Sequence, residues 1–105
     1  MVKAALSKKV KLKTSVYDVA EHLRTPDEMA AYLDAWLEEA PEDAAGIARA
    51  LGDIARAKGM TQVARDAGLS RESLYRALSA DGNPSFATVL KVAKALGVKL
   101  HAQAA

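Results

Sequence analysis

The sequence has 105 residues, 50% of them hydrophobic, and a formal net charge of only +2. This length suits one domain with a terminal tail, and the excess of alanine and leucine over aromatic residues predicts a mainly α fold. The chain has no cysteine, which excludes disulfides, thiolate zinc sites and a cysteine nucleophile. No apolar run approaches the roughly 20 residues of a membrane span, and the first residues lack the apolar core of a signal peptide. We therefore expect a cytoplasmic protein with no membrane partner.

Charge is distributed unevenly along the chain. Residues 1–14 contain five lysines and predict a basic, flexible tail ahead of a domain at 15–105. Residues 27–43 contain seven acidic residues and no lysine or arginine, whereas basic residues predominate after Asp53. A polyanion is therefore attracted to the second half of the domain and repelled by its middle.

Helical spacing begins directly after the tail. Val16, Val19, Ala20 and Leu23 predict a turn or two of helix from Ser15 to Leu23. The sequence Thr25-Pro26-Asp27-Glu28 is a helix start, because it combines a capping hydroxyl, proline at the first position and a carboxylate that reaches back to the cap. It predicts an acidic helix at 26–40.

Two aromatic residues lie on the same side of this acidic helix. Tyr32 and Trp36 are four residues apart, a spacing that suits either core anchors or part of a protein interface. Pro41 is expected to end the helix and to start a second one at 42–58, which Gly59 stops.

Residues 60–79 contain two short helical patterns that meet at Gly68, as in a helix-turn-helix. Glycine adopts the left-handed conformation that ends the first helix, and the Ser70 hydroxyl caps the second, from Arg71 to Ser79. Leu74, Ala77 and Leu78 form the inner face of this second helix. Its outer face suits the major groove of DNA and carries Arg71, Glu72, Ser73, Tyr75 and Arg76. The alternative is an ordinary capped surface helix in which Glu72 and Arg76 pair four residues apart.

The last segments are predicted to be a helix and a strand. Asp81 to Pro84 predicts a turn, and Ser85 caps a helix at 86–96 that Gly97 ends. Apolar and polar residues alternate at 98–103, which predicts a short β-strand. Residues near Val16 are the only evident partner within the chain, so the strand is a candidate for pairing across a dimer.

Catalytic and metal sites are not indicated. His22 and His101 lack metal-ligand spacing, and no nucleophile, base and orienting group occur as a set. We therefore expect no enzyme and no cofactor.

From Gly59 to Leu100 the sequence resembles the lambda-repressor-like, or XRE-type, DNA-binding domains, and among them the addiction-module antidote proteins (HigA-like antitoxins). The resemblance is strongest in G-L-S-R-E-S-L-Y-R-A-L-S and G-N-P-S-F-A-T, and it extends upstream to about Ser15. It implies a five-helix helix-turn-helix domain with a short C-terminal β-strand. The Thr61-Gln62 pair departs from many XRE domains, because it lies two residues nearer the turn glycine.

The resemblance also implies a function. The implied protein is an antitoxin that neutralises a RelE/HigB-like ribonuclease toxin and represses the promoter that the two genes share. It would bind a palindromic double-stranded DNA operator as a homodimer. The DNA-binding positions carried over are Gln62, Ser70, Arg71, Glu72, Ser73, Tyr75, Arg76 and Ser85. Because a surface that holds RNA is positive, the acidic helix is the predicted toxin contact. Its toxin-binding candidates are Tyr32, Asp34, Trp36, Glu38 and Glu39.

Three alternatives stay open at this stage. The carboxylates of the acidic helix could serve only to solvate an outer face. The chain could be a phage-type or housekeeping repressor without a toxin partner. It could also be an interaction module whose helix-turn-helix no longer binds DNA.

Overall fold

The structure, a computed structural model, describes residues 22–79 and 81–105. Within these ranges it has no strand and five helices: α1 (Pro26–Glu39), α2 (Ala44–Lys58), α3 (Met60–Ala67), α4 (Arg71–Ala77) and α5 (Phe86–Leu96). In the described residues, the predicted mainly α class with five helices is confirmed. The tail predicted at 1–14 and nearly all of the helix predicted from Ser15 to Leu23 lie outside the described residues. No helix of the described ranges has the length and apolar character needed to cross a bilayer.

The start of α1 is the capping box that its sequence predicts. The Thr25 hydroxyl accepts a hydrogen bond from the Glu28 N–H at 3.1 Å, and the Glu28 carboxylate accepts from the Thr25 N–H at 3.0 Å and the Arg24 N–H at 2.9 Å. These bonds satisfy N–H groups that the first helical turn leaves unpaired. The Arg24 N–H is the largest cause that holds the pKa of Glu28 below its ordinary value.

The second helix does not start at residue 42, so this prediction is wrong. Asp43 has non-helical dihedral angles (φ −90°, ψ 80°), and its carboxylate accepts a hydrogen bond from the Gly46 N–H at 2.8 Å. An aspartate in this role is the cap that precedes a helix, so α2 begins directly after Asp43, at Ala44, two residues later than predicted. Pro41 and Glu42 form the turn that leads to it, closed by a hydrogen bond from Asp43 N–H to Ala40 O at 3.1 Å.

The turn between α3 and α4 has the predicted chemistry. Gly68 is left-handed (φ 71°, ψ 31°), and the next N–H, of Leu69, donates to Ala64 O at 2.9 Å.

Helix α4 is two residues shorter than predicted. Leu78 leaves the helical conformation (φ −103°, ψ 13°), and the Ser79 hydroxyl donates back to Arg76 O at 3.0 Å, which satisfies a carbonyl of the last turn.

The strand predicted at 98–103 is absent from the described part of the chain. Gly97 ends α5 in a left-handed conformation (φ 78°), and the Val98 N–H donates to Ala93 O at 3.0 Å. Val98 is thereby buried, whereas residues 99–105 are exposed. Alternating side chains do not make a strand unless a second backbone segment accepts its hydrogen bonds, and residues 22–79 provide none.

The core draws apolar side chains from all five helices. Helix α3 lies against α2, α4 and α5, while α1 packs chiefly on α2. The Lys58 ammonium donates to Ala95 O at 2.8 Å and ties the ends of α2 and α5 together. The core residues with 0% exposure are Ala50, Ile54, Ala55, Val63, Leu74, Val92 and Leu96.

Candidate nucleic-acid interface

Helix α4 presents one face to the core and the other to solvent. Leu74 and Leu78 are 0% and 2% exposed, so they fix the rotation of the helix about its axis. At its start, the Ser70 hydroxyl accepts a hydrogen bond from the Ser73 N–H at 3.0 Å. The remaining side chains are exposed, as the sequence predicts: Arg71, Glu72, Ser73, Tyr75 and Arg76.

Arg71 and Tyr75 form a pair on this exposed face. One guanidinium nitrogen of Arg71 donates to the Tyr75 hydroxyl at 3.3 Å, and Arg71 Cζ lies 5.4 Å from the centroid of the Tyr75 ring. A cation within about 6 Å of an aromatic ring is attracted by its negative face. A guanidinium has five N–H donors, so four remain for another acceptor. Tyr75 thus orders Arg71 at the expense of one of its five donors.

Arg76 is not held in this way. Glu72 and Arg76 have the spacing of a helical ion pair, but within residues 22–79 and 81–105 they form none. The alternative in which these two residues pair is therefore not realised. Both side chains project from the face that Arg71 shares.

Ser70, which caps α4, and Ser73 act together at the first turn of the helix. Ser70 Oγ donates to Ser73 Oγ at 2.8 Å while it accepts from the Ser73 N–H. The Ser70 proton is consumed by this bond, whereas the Ser73 hydroxyl keeps its own proton and is exposed. Ser73 is therefore the serine able to donate outward.

Gln62 lies on α3, and Ser85 is the cap that precedes α5. Gln62 is exposed on α3, and its amide donates to the Asp66 carboxylate at 2.9 Å. Ser85 caps α5: its hydroxyl accepts from the Thr88 N–H at 3.1 Å and donates to the Thr88 hydroxyl at 3.0 Å. The Gln62 amide keeps a second N–H donor, whereas the Ser85 hydroxyl proton is used in the bond to Thr88. Helix α3 packs on both α4 and α5, which places all eight DNA-binding candidates around one helix.

Two glycines that the sequence analysis did not single out hold the end of α4. A Cβ at Gly52 of α2 would lie 3.0 Å from Leu78 O. A Cβ at Gly82 would lie 2.7 Å from the carbonyl carbon of Ala77 and 2.7 Å from Arg76 O, and closer still to Ala77 O. The turn signal at Asp81–Pro84 indicates Gly82 as a turn residue, but nothing in the sequence indicates its approach to α4.

The acidic helix α1 divides its candidate residues between core and surface. Tyr32 and Trp36 are 7% and 5% exposed and belong to the core, because the Trp36 ring packs against Gly46 of α2. The Tyr32 hydroxyl donates to the Asp53 carboxylate at 2.9 Å, and burial raises the pKa of Tyr32. A toxin contact through these two aromatic side chains would require them to leave the core. The exposed candidates are Asp34, Glu38 and Glu39.

Comparison with known proteins identifies the family of this chain. Residues 13–104 match the family described as "Probable addiction module antidote protein". The chain belongs to this family. Antidote proteins of addiction modules are antitoxins, so the coarse class predicted from the sequence is confirmed. A protein of Haemophilus influenzae named "Uncharacterized protein" is 55% identical over 87 residues, which is 83% of this chain and 88% of that protein. No solved structure gives a significant match.

Proposed function

We propose that this antidote protein binds operator DNA through α4, represses its own promoter, and neutralises a RelE/HigB-like toxin. The observation that carries the proposal is the exposed face of α4, with Arg71 ordered on Tyr75 and Arg76 unpaired beside it. Family membership supports the toxin partner. The geometry of α3 and α4 supports the DNA partner, because it fits a helix-turn-helix.

Arginine is suited to read guanine in the major groove. Its guanidinium bonds O6 and N7 together, and such a bidentate contact contributes about 1–3 kcal/mol of discrimination against other bases. Arg71 is already ordered by Tyr75, so less side-chain entropy is lost when it binds. The proposal therefore assigns base contacts to Arg71 and Arg76, with Glu72 between them on the same face.

The proposal is tested by measuring fluorescence anisotropy on labelled duplex DNA taken from upstream of the gene for this chain. We expect Arg76→Ala to lower affinity about 5- to 150-fold and to change the preferred base at one position in each half-site. Arg49→Ala is the matched control, because Arg49 is also exposed but lies on α2. Equal affinity of the Arg76 variant and the parent would refute the assignment.

Salt supplies a second measurement on the same duplex. Each phosphate that the protein neutralises adds about −0.9 to the slope of log affinity against log salt concentration. An interface dominated by phosphate contacts therefore weakens steeply as salt rises. An affinity independent of salt would contradict it.

The toxin part of the proposal has its own test. The reading frame adjacent to the gene is co-expressed with this chain, and its product is expected to co-purify and to lose its toxicity in the complex. Among the predicted contacts, only Asp34, Glu38 and Glu39 are exposed on α1. An adjacent product that neither binds nor is toxic would favour a repressor without a toxin partner.

A further inference from the structure

Two aromatic side chains are exposed in the ranges that the structure describes, and they lie on different helices. Tyr75 on α4 is 42% exposed, and Phe86 at the start of α5 is 72% exposed. Tyr32 and Trp36 are buried. Tyr75 is therefore the aromatic ring that meets whatever α4 binds.

The ring of Tyr75 is held beside the guanidinium of Arg71. Arg71 Cζ lies 5.4 Å from the ring centroid, and a guanidinium nitrogen donates to the Tyr75 hydroxyl at 3.3 Å. Both contacts engage the side of Tyr75 that faces Arg71, and the residue still has 42% of its surface exposed. Apolar surface of the ring thus stays open for a second contact.

Arg71 sets the level at which Tyr75 would meet the DNA. A guanidinium that bonds O6 and N7 of one guanine lies near the plane of that base. The centroid of the Tyr75 ring is displaced 5.4 Å from Arg71 Cζ, whereas successive base pairs are about 3.4 Å apart. The ring would therefore lie beside a neighbouring base pair and not beside the guanine itself.

The chemistry of the major groove then selects the base. Its edges present hydrogen-bonding groups on all four bases, and the C5 methyl group of thymine is the apolar contact offered there. We propose that Tyr75 reads the methyl group of a thymine in the base pair next to the guanine bound by Arg71. The two residues then recognise two adjacent base pairs as one unit. The inference rests on the proposed function, because it requires α4 to lie in the major groove.

The competing role for Tyr75 is a phosphate contact through its hydroxyl. This hydroxyl accepts from Arg71 and keeps its own proton, so it is able to donate to a phosphate oxygen. Such a contact would carry no information about the base. The common direction of the two side chains favours the base contact, because residues four apart on a helix lie on the same face.

The test replaces thymine by uracil, one position at a time, in the labelled duplex from upstream of the gene. Uracil lacks the C5 methyl group and is otherwise identical to thymine. Burial of one methyl group corresponds to about fourfold in affinity, so we expect the parent to lose about fourfold at one thymine of a half-site and about 15-fold when both half-sites are substituted. Affinity is measured by fluorescence anisotropy.

The neighbouring guanine is located in the same way. The analogue 7-deazaguanine lacks the N7 acceptor, so at the guanine bound by Arg71 it should weaken the parent and leave Arg71→Ala unaffected. We expect the thymine that is sensitive to uracil to lie in the base pair next to this guanine.

Two variants separate the ring of Tyr75 from its hydroxyl. Tyr75→Phe keeps the ring, so it is expected to keep the preference for thymine over uracil even where its overall affinity falls. Tyr75→Ala removes the ring, so thymine and uracil are expected to bind equally at that position. Phe86→Ala is the matched control at the other exposed ring and should keep the preference of the parent. Thermal melts show that every variant is folded.

Three results would overturn the inference while the chain still binds operator DNA and the proposed function stands. The first is a duplex in which no thymine beside the guanine of Arg71 is sensitive to uracil. The second is a preference that persists in Tyr75→Ala, since another side chain would then contact the methyl group. The third is a preference lost in Tyr75→Phe, which would assign the discrimination to the hydroxyl. A chain that binds no duplex would refute the proposed function and this inference together.

Discussion

Gly82 offers the sharpest test of how α4 is positioned. Gly82 lacks a positive φ, so alanine is not penalised for its backbone conformation here. The penalty is steric, because the added Cβ would meet Ala77 O, the Ala77 carbonyl carbon at 2.7 Å and Arg76 O at 2.7 Å. These are backbone atoms of the last turn of α4, and no side-chain rotation relieves the contact. Either the turn or α4 has to move.

The magnitude follows from two opposed effects of Gly82→Ala. Overpacking of a close contact typically costs about 1–3 kcal/mol. Replacing glycine lowers the entropy of the unfolded chain and returns about 0.4–1 kcal/mol. The steric effect is the larger, so we expect a net loss of about 1–2 kcal/mol in the free energy of unfolding. A domain of this size would then melt roughly 4–16 °C lower.

The assay pairs a thermal melt with DNA binding by anisotropy. We expect Gly82→Ala to weaken operator binding even where the protein is fully folded, because Arg76 lies on the displaced turn. Asn83→Ala is the control, since Asn83 is an exposed residue of the same turn. An alanine variant with the melting temperature and affinity of the parent would refute the argument that Gly82 sets the place of α4.

Two further predictions concern the other end of the domain. Tyr32→Phe removes the hydrogen bond to Asp53 and should lower the free energy of unfolding, measured in urea, by about 1–2 kcal/mol. Tyr75→Phe is the control at an exposed tyrosine, and an equal loss of stability in both variants would contradict the argument. The pKa of Glu28 is lowered in the folded state, so its stabilising effect is present above its ordinary value of 4.5 and is lost as pH falls below it. Glu28→Gln should therefore flatten the loss of stability as pH falls below 4.5, and an unchanged acid profile in urea titrations would exclude this role.

Local sequence signals predicted most of the helix ends. The capping box at Thr25 and the left-handed Gly68 each depend on a few adjacent residues, so their chemistry is visible without the fold. Asp43 shows the limit of such signals. Both Pro41 and Asp43 suit a helix start, and only the hydrogen bond from Gly46 N–H shows that Asp43 is the residue that caps α2.

The geometry of the candidate site is less predictable from the sequence than the fold. Burial of Leu74 fixes which side chains of α4 are exposed, and periodicity alone predicts this. Periodicity does not show which exposed residues pair, because Arg71–Tyr75 and Glu72–Arg76 have the same spacing. Exposed pairs of this kind contribute only about 0.3–0.5 kcal/mol, so small local differences decide between them. The strand predicted at 98–103 fails for a different reason, since pairing depends on a second segment.

Helix α2 contacts both the acidic helix α1 and the end of α4. On one side, a Cβ at Gly46 would lie 2.6 Å from the Trp36 ring of α1, so the two helices approach closely there. On the other side, Gly52 admits Leu78 O at the end of α4. The two glycines are separated by about 9 Å along the helix axis.

The connections along this path are short. Four residues join α1 to α2, one joins α2 to α3, and three join α3 to α4. The position of α4 relative to α1 is therefore set by packed helices, with no long linker between them. Half-sites in B-DNA face the same side of the duplex only about every 34–36 Å. If two copies bind one operator, such a spacing requires that α4 is held rigidly on the rest of its domain. A change that loosens the packing at Gly46 or Gly52 would then reduce operator affinity without altering any DNA contact.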